Sequence, residues 1–64
     1  MYTLTVHYPD APVPTDSRAA LTASEVLKLI PEVLAAHPEC ERVVVSVAGT
    51  RLFAVDRKGN RVGD

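Results

Sequence analysis

Two histidines, one cysteine and a scatter of hydroxyls are the side chains of this 64-residue chain that could serve as base, nucleophile or soft metal ligand. His37 and Cys40 stand three residues apart in His37-Pro38-Glu39-Cys40, a spacing at which an imidazole and a thiol can share a metal or redox centre. A four-ligand zinc site would have only His7 left to draw on among the soft ligands. Glu39 and Glu41 beside Cys40 also favour the thiol over the thiolate. The pair therefore reads as a helix end carrying a histidine, next to a half-buried cysteine, with no metal and no cofactor. His7 lies on one side of a strand with Thr3 and Thr5. Ser46 or a threonine could supply it with a hydroxyl, but no carboxylate is clearly placed to orient the imidazole. No catalytic residue emerges, and the chain is expected not to be an enzyme, a small metal-binding or enzymatic protein built on His7 or on His37 with Cys40 being the remote alternative.

Charge is unevenly distributed. Residues 1–41 set Arg18 and Lys28 against six carboxylates, for a net −4, while residues 42–64 set five cations against Asp56 and Asp64, for a net +3. Arg51, Arg57, Lys58 and Arg61 are thus a candidate basic patch for phosphate, which makes a nucleic-acid accessory protein the alternative function. Five cations over a hairpin and tail are a thin footprint. Only Gly49, Gly59 and Gly63 are present, in neither a GxGxxG nor a P-loop. A sheet that binds single-stranded RNA offers aromatic and basic groups on its open face, and this chain is expected to turn Phe53 inward. Pro9-Asp10-Ala11-Pro12 matches PxxP but follows directly from a core strand, and reads as a rigid loop.

The elements that position these groups follow from periodicity. Tyr2, Leu4, Val6 and Tyr8 alternate with Thr3, Thr5 and His7, which marks a strand with one face toward a core. Pro9, Pro12 and Pro14 lack backbone donors, so residues 9–20 read as an extended connection, with 15–19 as an alternative edge strand beside the first. Thr22 and Glu25 have capping-box spacing. Ala23, Val26, Leu27, Ile30, Val33 and Leu34 then form one apolar stripe that keeps its phase across Pro31. One kinked helix from Ala23 to about Ala36 is expected, with two segments meeting at Pro31 as the alternative. His37-Pro38 ends it.

Arg42 to Asp56 reads as a hairpin around Ala48-Gly49-Thr50. In the simplest register Val43, Val45, Val47, Phe53 and Val55 face the core, and Val44, Ser46, Ala48, Leu52 and Ala54 face away. A second tight turn follows at Asp56–Asn60. Arg61 and Val62 add at most a stub of strand to a flexible tail over 61–64.

Residues 1–64 therefore form a single α+β domain in β-α-β-β order. One kinked helix packs on one face of a small, mainly antiparallel sheet of three to four strands. A lone cysteine excludes an intrachain disulfide, so oligomerisation is the support still open to so small a fold. The composition, 47% hydrophobic and 23% charged, is that of a soluble protein. No apolar run approaches a membrane span and the first residues lack signal-peptide character, so a cytoplasmic setting is expected. The stretch Arg51-Leu52-Phe53-Ala54-Val55-Asp56 with Gly59-Asn60-Arg61, and the segment His37 to Arg42, resemble small uncharacterised single-domain bacterial proteins. That resemblance implies no activity and transfers no functional residue.

One helix covers one sheet face. The other would expose Thr3, Thr5, His7, Val44, Ser46, Ala48, Leu52 and Ala54, a surface of small side chains suited to another protein. The expected function is a small interaction module, self-associating as a homodimer through this face or an edge strand, or binding an unidentified protein partner.

Overall fold

The computed structural model describes residues 1–62 and has the order β1 (Tyr2–His7), β2 (Asp16–Ala20), α1 (Ala23–Ala36), β3 (Arg42–Val47), β4 (Thr50–Asp56) and β5 (Arg61–Val62). All five strands join one antiparallel sheet in the spatial order β2-β1-β3-β4-β5. The α+β class and the single helix against the sheet agree with the sequence. The expected three to four strands and the β-α-β-β order do not, because both additional strands lie at edges and lack the alternation that reveals a half-buried strand. β2 reads Asp-Ser-Arg-Ala-Ala, and its only buried residue is Ala20. β5 is two residues long, so Arg61 and Val62 belong to the sheet and not to the tail expected over 61–64; residues 63 and 64 lie outside the described range.

Backbone hydrogen bonds account for the Pro-rich connection. The Ala11 N–H donates to Tyr8 O at 3.2 Å and the Thr15 N–H donates to Val6 O at 2.8 Å, so the chain reverses within eight residues and returns beside β1. At the start of α1 the Thr22 Oγ1 accepts from the Glu25 N–H at 3.2 Å. Glu25 Oε2 reaches back to the Leu21 N–H at 3.4 Å, one residue before the position that the simple capping box predicts. The helix runs unbroken through Pro31, an exposed residue, so the Leu27 carbonyl that loses its donor lies where water can serve it. His37 closes the helix with its N–H on Val33 O at 2.9 Å.

The core is built largely of valine. Leu4, Val6, Val33, Cys40, Val43 and Val45 are fully buried, with Ala20, Val26 and Val55 nearly so. Tyr2, Tyr8, Leu29, Ile30, Leu34 and Phe53 close its margins.

The β3–β4 hairpin departs from the simplest register. Val43 pairs with Val55, Val44 with Ala54 and Val45 with Phe53, but Ser46 then pairs with Arg51 and Val47 with Thr50. The turn is the two residues Ala48 and Gly49, both left-handed at φ 51° and 81°. A two-residue turn and an inward Phe53 demand registers that differ by one residue. A β-bulge at Leu52, which has no Cα partner on β3, reconciles them. The second turn is held by Asp56, whose Oδ1 accepts from the N–H groups of Lys58 at 2.9 Å and Asn60 at 3.0 Å, with Gly59 at φ 86°.

Candidate functional site

The sheet face away from the helix brings together six of the eight residues expected there. Cross-strand pairing of Thr3 with Ser46, of Thr5 with Val44 and of Val44 with Ala54 puts them in adjacent rows, with His7 opposite Arg42 in the next. Two expected members are misplaced. Ala48 is consumed by the turn. Leu52, displaced by the bulge, instead lines a cleft on the helix side with Tyr2, Ala23, Val26, Leu27, Val45 and Phe53. Arg51 takes the place on the open face opposite Ser46. Sequence alternation could not reveal this exchange, because one unpaired residue reverses every side-chain direction beyond it.

The open face is more polar than its one-letter pattern suggests. Thr5 Oγ1 and His7 Nε2 share a hydrogen bond of 2.9 Å. Partial burial holds the His7 pKa below the usual histidine range, and the guanidinium groups of Arg42 and Arg51 push it in the same direction. Arg42 Nε is buried beneath this face without a hydrogen-bond partner. Ala54 is itself 1% exposed, so there is little apolar surface left to cover.

The helix side carries the apolar exposure. Val26 and Val33 of α1 share one core with Leu4, Val6, Val43, Val45 and Val55, and an apolar cleft opens between the first turns of α1 and Leu52 and Phe53 of β4. This cleft has a volume of ≈ 230 Å³. Leu27 and Leu52 stand at its lips, 68% and 47% exposed.

The His37 imidazole is hydrogen-bonded to two residues distant in sequence, and Cys40 meets His37 only through its N–H on the His37 carbonyl at 3.2 Å. His37 Nδ1 lies 2.9 Å from Tyr8 Oη and its Nε2 lies 3.1 Å from Asp16 Oδ2. The two rings meet edge to face, with centroids 5.9 Å apart. Arg18 Nε lies 3.4 Å from the same Asp16 oxygen. The hydrogen bond from His37, with that from the Ser17 N–H, holds the Asp16 carboxyl below the usual carboxylate range. This Tyr8–His37–Asp16 chain joins the end of β1, the start of β2 and the end of α1. Its members are 8, 21 and 29 residues apart, separations at which no local pattern could have found it.

Cys40 is fully buried in the core, not half-buried, and burial pushes its thiol pKa up. Among the described residues no group of three or more His, Cys, Asp or Glu side chains is placed to hold a metal ion. No helix among them is long and apolar enough to cross a membrane.

The four residues of the candidate basic patch do not form one surface. Arg51 stands on the open face at the Ala48-Gly49 end of β4. Arg57 and Lys58 occupy the turn at its other end, about 20 Å away at roughly 3.3 Å per residue. Arg61 lies on the helix side, its guanidinium 4.6 Å from the centre of the Phe53 ring. The cations are divided between two faces and two ends of the sheet.

No family model matches the chain, and no curated protein or solved structure matches it significantly.

Proposed function

We propose that this chain is a small, non-enzymatic interaction module that self-associates through the cleft between Leu27 and Leu52. The observation that carries the reading is the exposure of these two leucines on either side of an apolar hollow. A projecting leucine beside a hollow on the same surface is self-complementary, as a two-fold interface requires. Burying four leucines, two per copy, contributes roughly 4–8 kcal/mol before association costs, enough for a weak dimer.

The other surfaces offer less. On the open sheet face hydroxyls, His7 and arginines surround a few small apolar groups. The β2 edge is blunted by charge, since two-fold pairing centred on that strand sets Arg18 against its own copy. The division of Arg51, Arg57, Lys58 and Arg61 between two faces and two ends of the sheet favours the self-association reading over nucleic-acid binding. We place the module in the cytoplasm, where a single thiol stays reduced, and among the small bacterial proteins that its closing segment resembles.

Sedimentation across a concentration series tests the proposal. Dimer is expected as concentration rises toward roughly millimolar, with Leu27→Lys and Leu52→Lys each weakening association at least ~10-fold, a change of about 1.4 kcal/mol. Val44→Lys on the open face should leave it unchanged. A protein that stays monomeric at the highest concentration removes self-association. Loss of dimer in Val44→Lys alone moves the interface to the open face.

A further inference from the structure

We propose that the Tyr8 phenol is a nucleophilic modification site for small activated acyl groups, with His37 as its base and Asp16 as the group that orients the imidazole. The polarity of the hydrogen-bond chain supports this. An ionised carboxylate can only accept, so His37 Nε2 carries the proton toward Asp16 Oδ2 at 3.1 Å. In the neutral ring Nδ1 then presents a lone pair to the Tyr8 hydroxyl at 2.9 Å. Hydroxyl, imidazole and carboxylate thus stand in the order in which an enzyme activates a weak nucleophile. Asp16 is ionised at neutral pH, and its hydrogen bonds from His37 and the Ser17 N–H favour that charged form further.

Room for an electrophile lies beside it. Tyr8 lines an open depression of ≈ 530 Å³ with Pro9, Asp10, Ala11, Thr15, Glu39 and Arg57. Arg57 is the cation there that can meet negative charge developing on an acyl oxygen, while Asp10 and Glu39 disfavour anionic donors. A small neutral ester is therefore the fitting class. The Tyr8 oxygen attacks the carbonyl carbon and its proton passes to His37 Nδ1. The bond from carbon to the leaving oxygen breaks, and His37 returns the proton to the departing oxygen. The donor is an activated aryl ester, and the products are O-acyl-Tyr8 and the released phenol, with nothing oxidised or reduced.

Tyr2, also half-buried in the same chain, is the internal reference. The protein is treated with p-nitrophenyl acetate at neutral pH, and acetylation of each tyrosine is followed by peptide mass spectrometry. Tyr8 should react at least ~10-fold faster than Tyr2, a modest fraction of what a positioned base can contribute. Asp16→Asn and His37→Gln should bring the two rates together while circular dichroism shows the fold retained, and Tyr8→Phe should leave only the Tyr2 signal. Equal or slower reaction at Tyr8 in the unmodified protein overturns the proposal, as does a Tyr8 preference that survives both substitutions. Should both variants unfold, the ratio in the unmodified protein decides.

Discussion

His37 Nε2 lies 3.1 Å from Asp16 Oδ2, and this contact ties the end of α1 to the first residue of an edge strand. Edge strands without an apolar face have little else to hold them. β2 buries one alanine, so its attachment rests on pairing with β1 and on this polar anchor.

The anchor makes acid stability predictable in sign. The folded-state pKa of Asp16 lies below its unfolded value of 3.8, so the unfolded chain binds the proton more tightly. The stabilisation is complete above that value and is lost as pH falls through the folded pKa. Thermal melts from neutral pH to strongly acidic pH should show this loss, with a shallower acid limb in Asp16→Asn. An unchanged limb in that variant would show that Asp16 contributes nothing.

His7 acts in the same direction at milder pH. Its folded pKa is lowered from 6.5, so protonation favours the unfolded state, and stability should decline as pH drops through the window below 6.5. His7→Gln should flatten that part of the melting curve. NMR titration of the two imidazoles would assign the effect directly, and a His7 midpoint at or above 6.5 would contradict it.

Ala48 occupies a left-handed position at φ 51°, where a Cβ is strained by roughly 1–2 kcal/mol. Followed by Gly49, it stands where two-residue hairpins favour asparagine. Ala48→Asn should therefore stabilise the fold by about 0.5–1 kcal/mol, raising the melting temperature by a few degrees in a domain of this size. A lower melting temperature would show that the turn relaxes differently.

Two valine-to-alanine or leucine-to-alanine changes on one helix should diverge. Val33 is fully buried and Leu27 is 68% exposed. Val33→Ala should cost about 2 kcal/mol on denaturant unfolding at low protein concentration, against about 0.5 kcal/mol or less for Leu27→Ala. Comparable losses would mean that Leu27 is covered even in the monomer.

Cys40 should resist thiol reagents in the native protein and react readily once unfolded, since it has no exposed surface and burial raises its pKa. Cys40→Ser should destabilise by about 1–3 kcal/mol through a buried hydroxyl lacking a ready partner. Fast native-state labelling would place the thiol at the surface.

What the sequence by itself determined are the features governed by local periodicity and capping. Alternation of Tyr2, Leu4 and Val6 set the core face of β1, the Thr22 cap and apolar stripe set the span of α1, and Gly49 and Gly59 marked both turns. Those signals act within a few residues, so they survive without any knowledge of what packs against what. The tertiary structure decided the rest. β2 and β5 exist because β1 and β4 offer them open edges. The bulge at Leu52 arises because a two-residue turn and an inward Phe53 must both be satisfied, and it moves the apolar exposure from the open face to the helix side. The Tyr8–His37–Asp16 chain exists only because three element ends meet, and no periodicity along the chain encodes a contact between residues that folding alone brings within 3.1 Å.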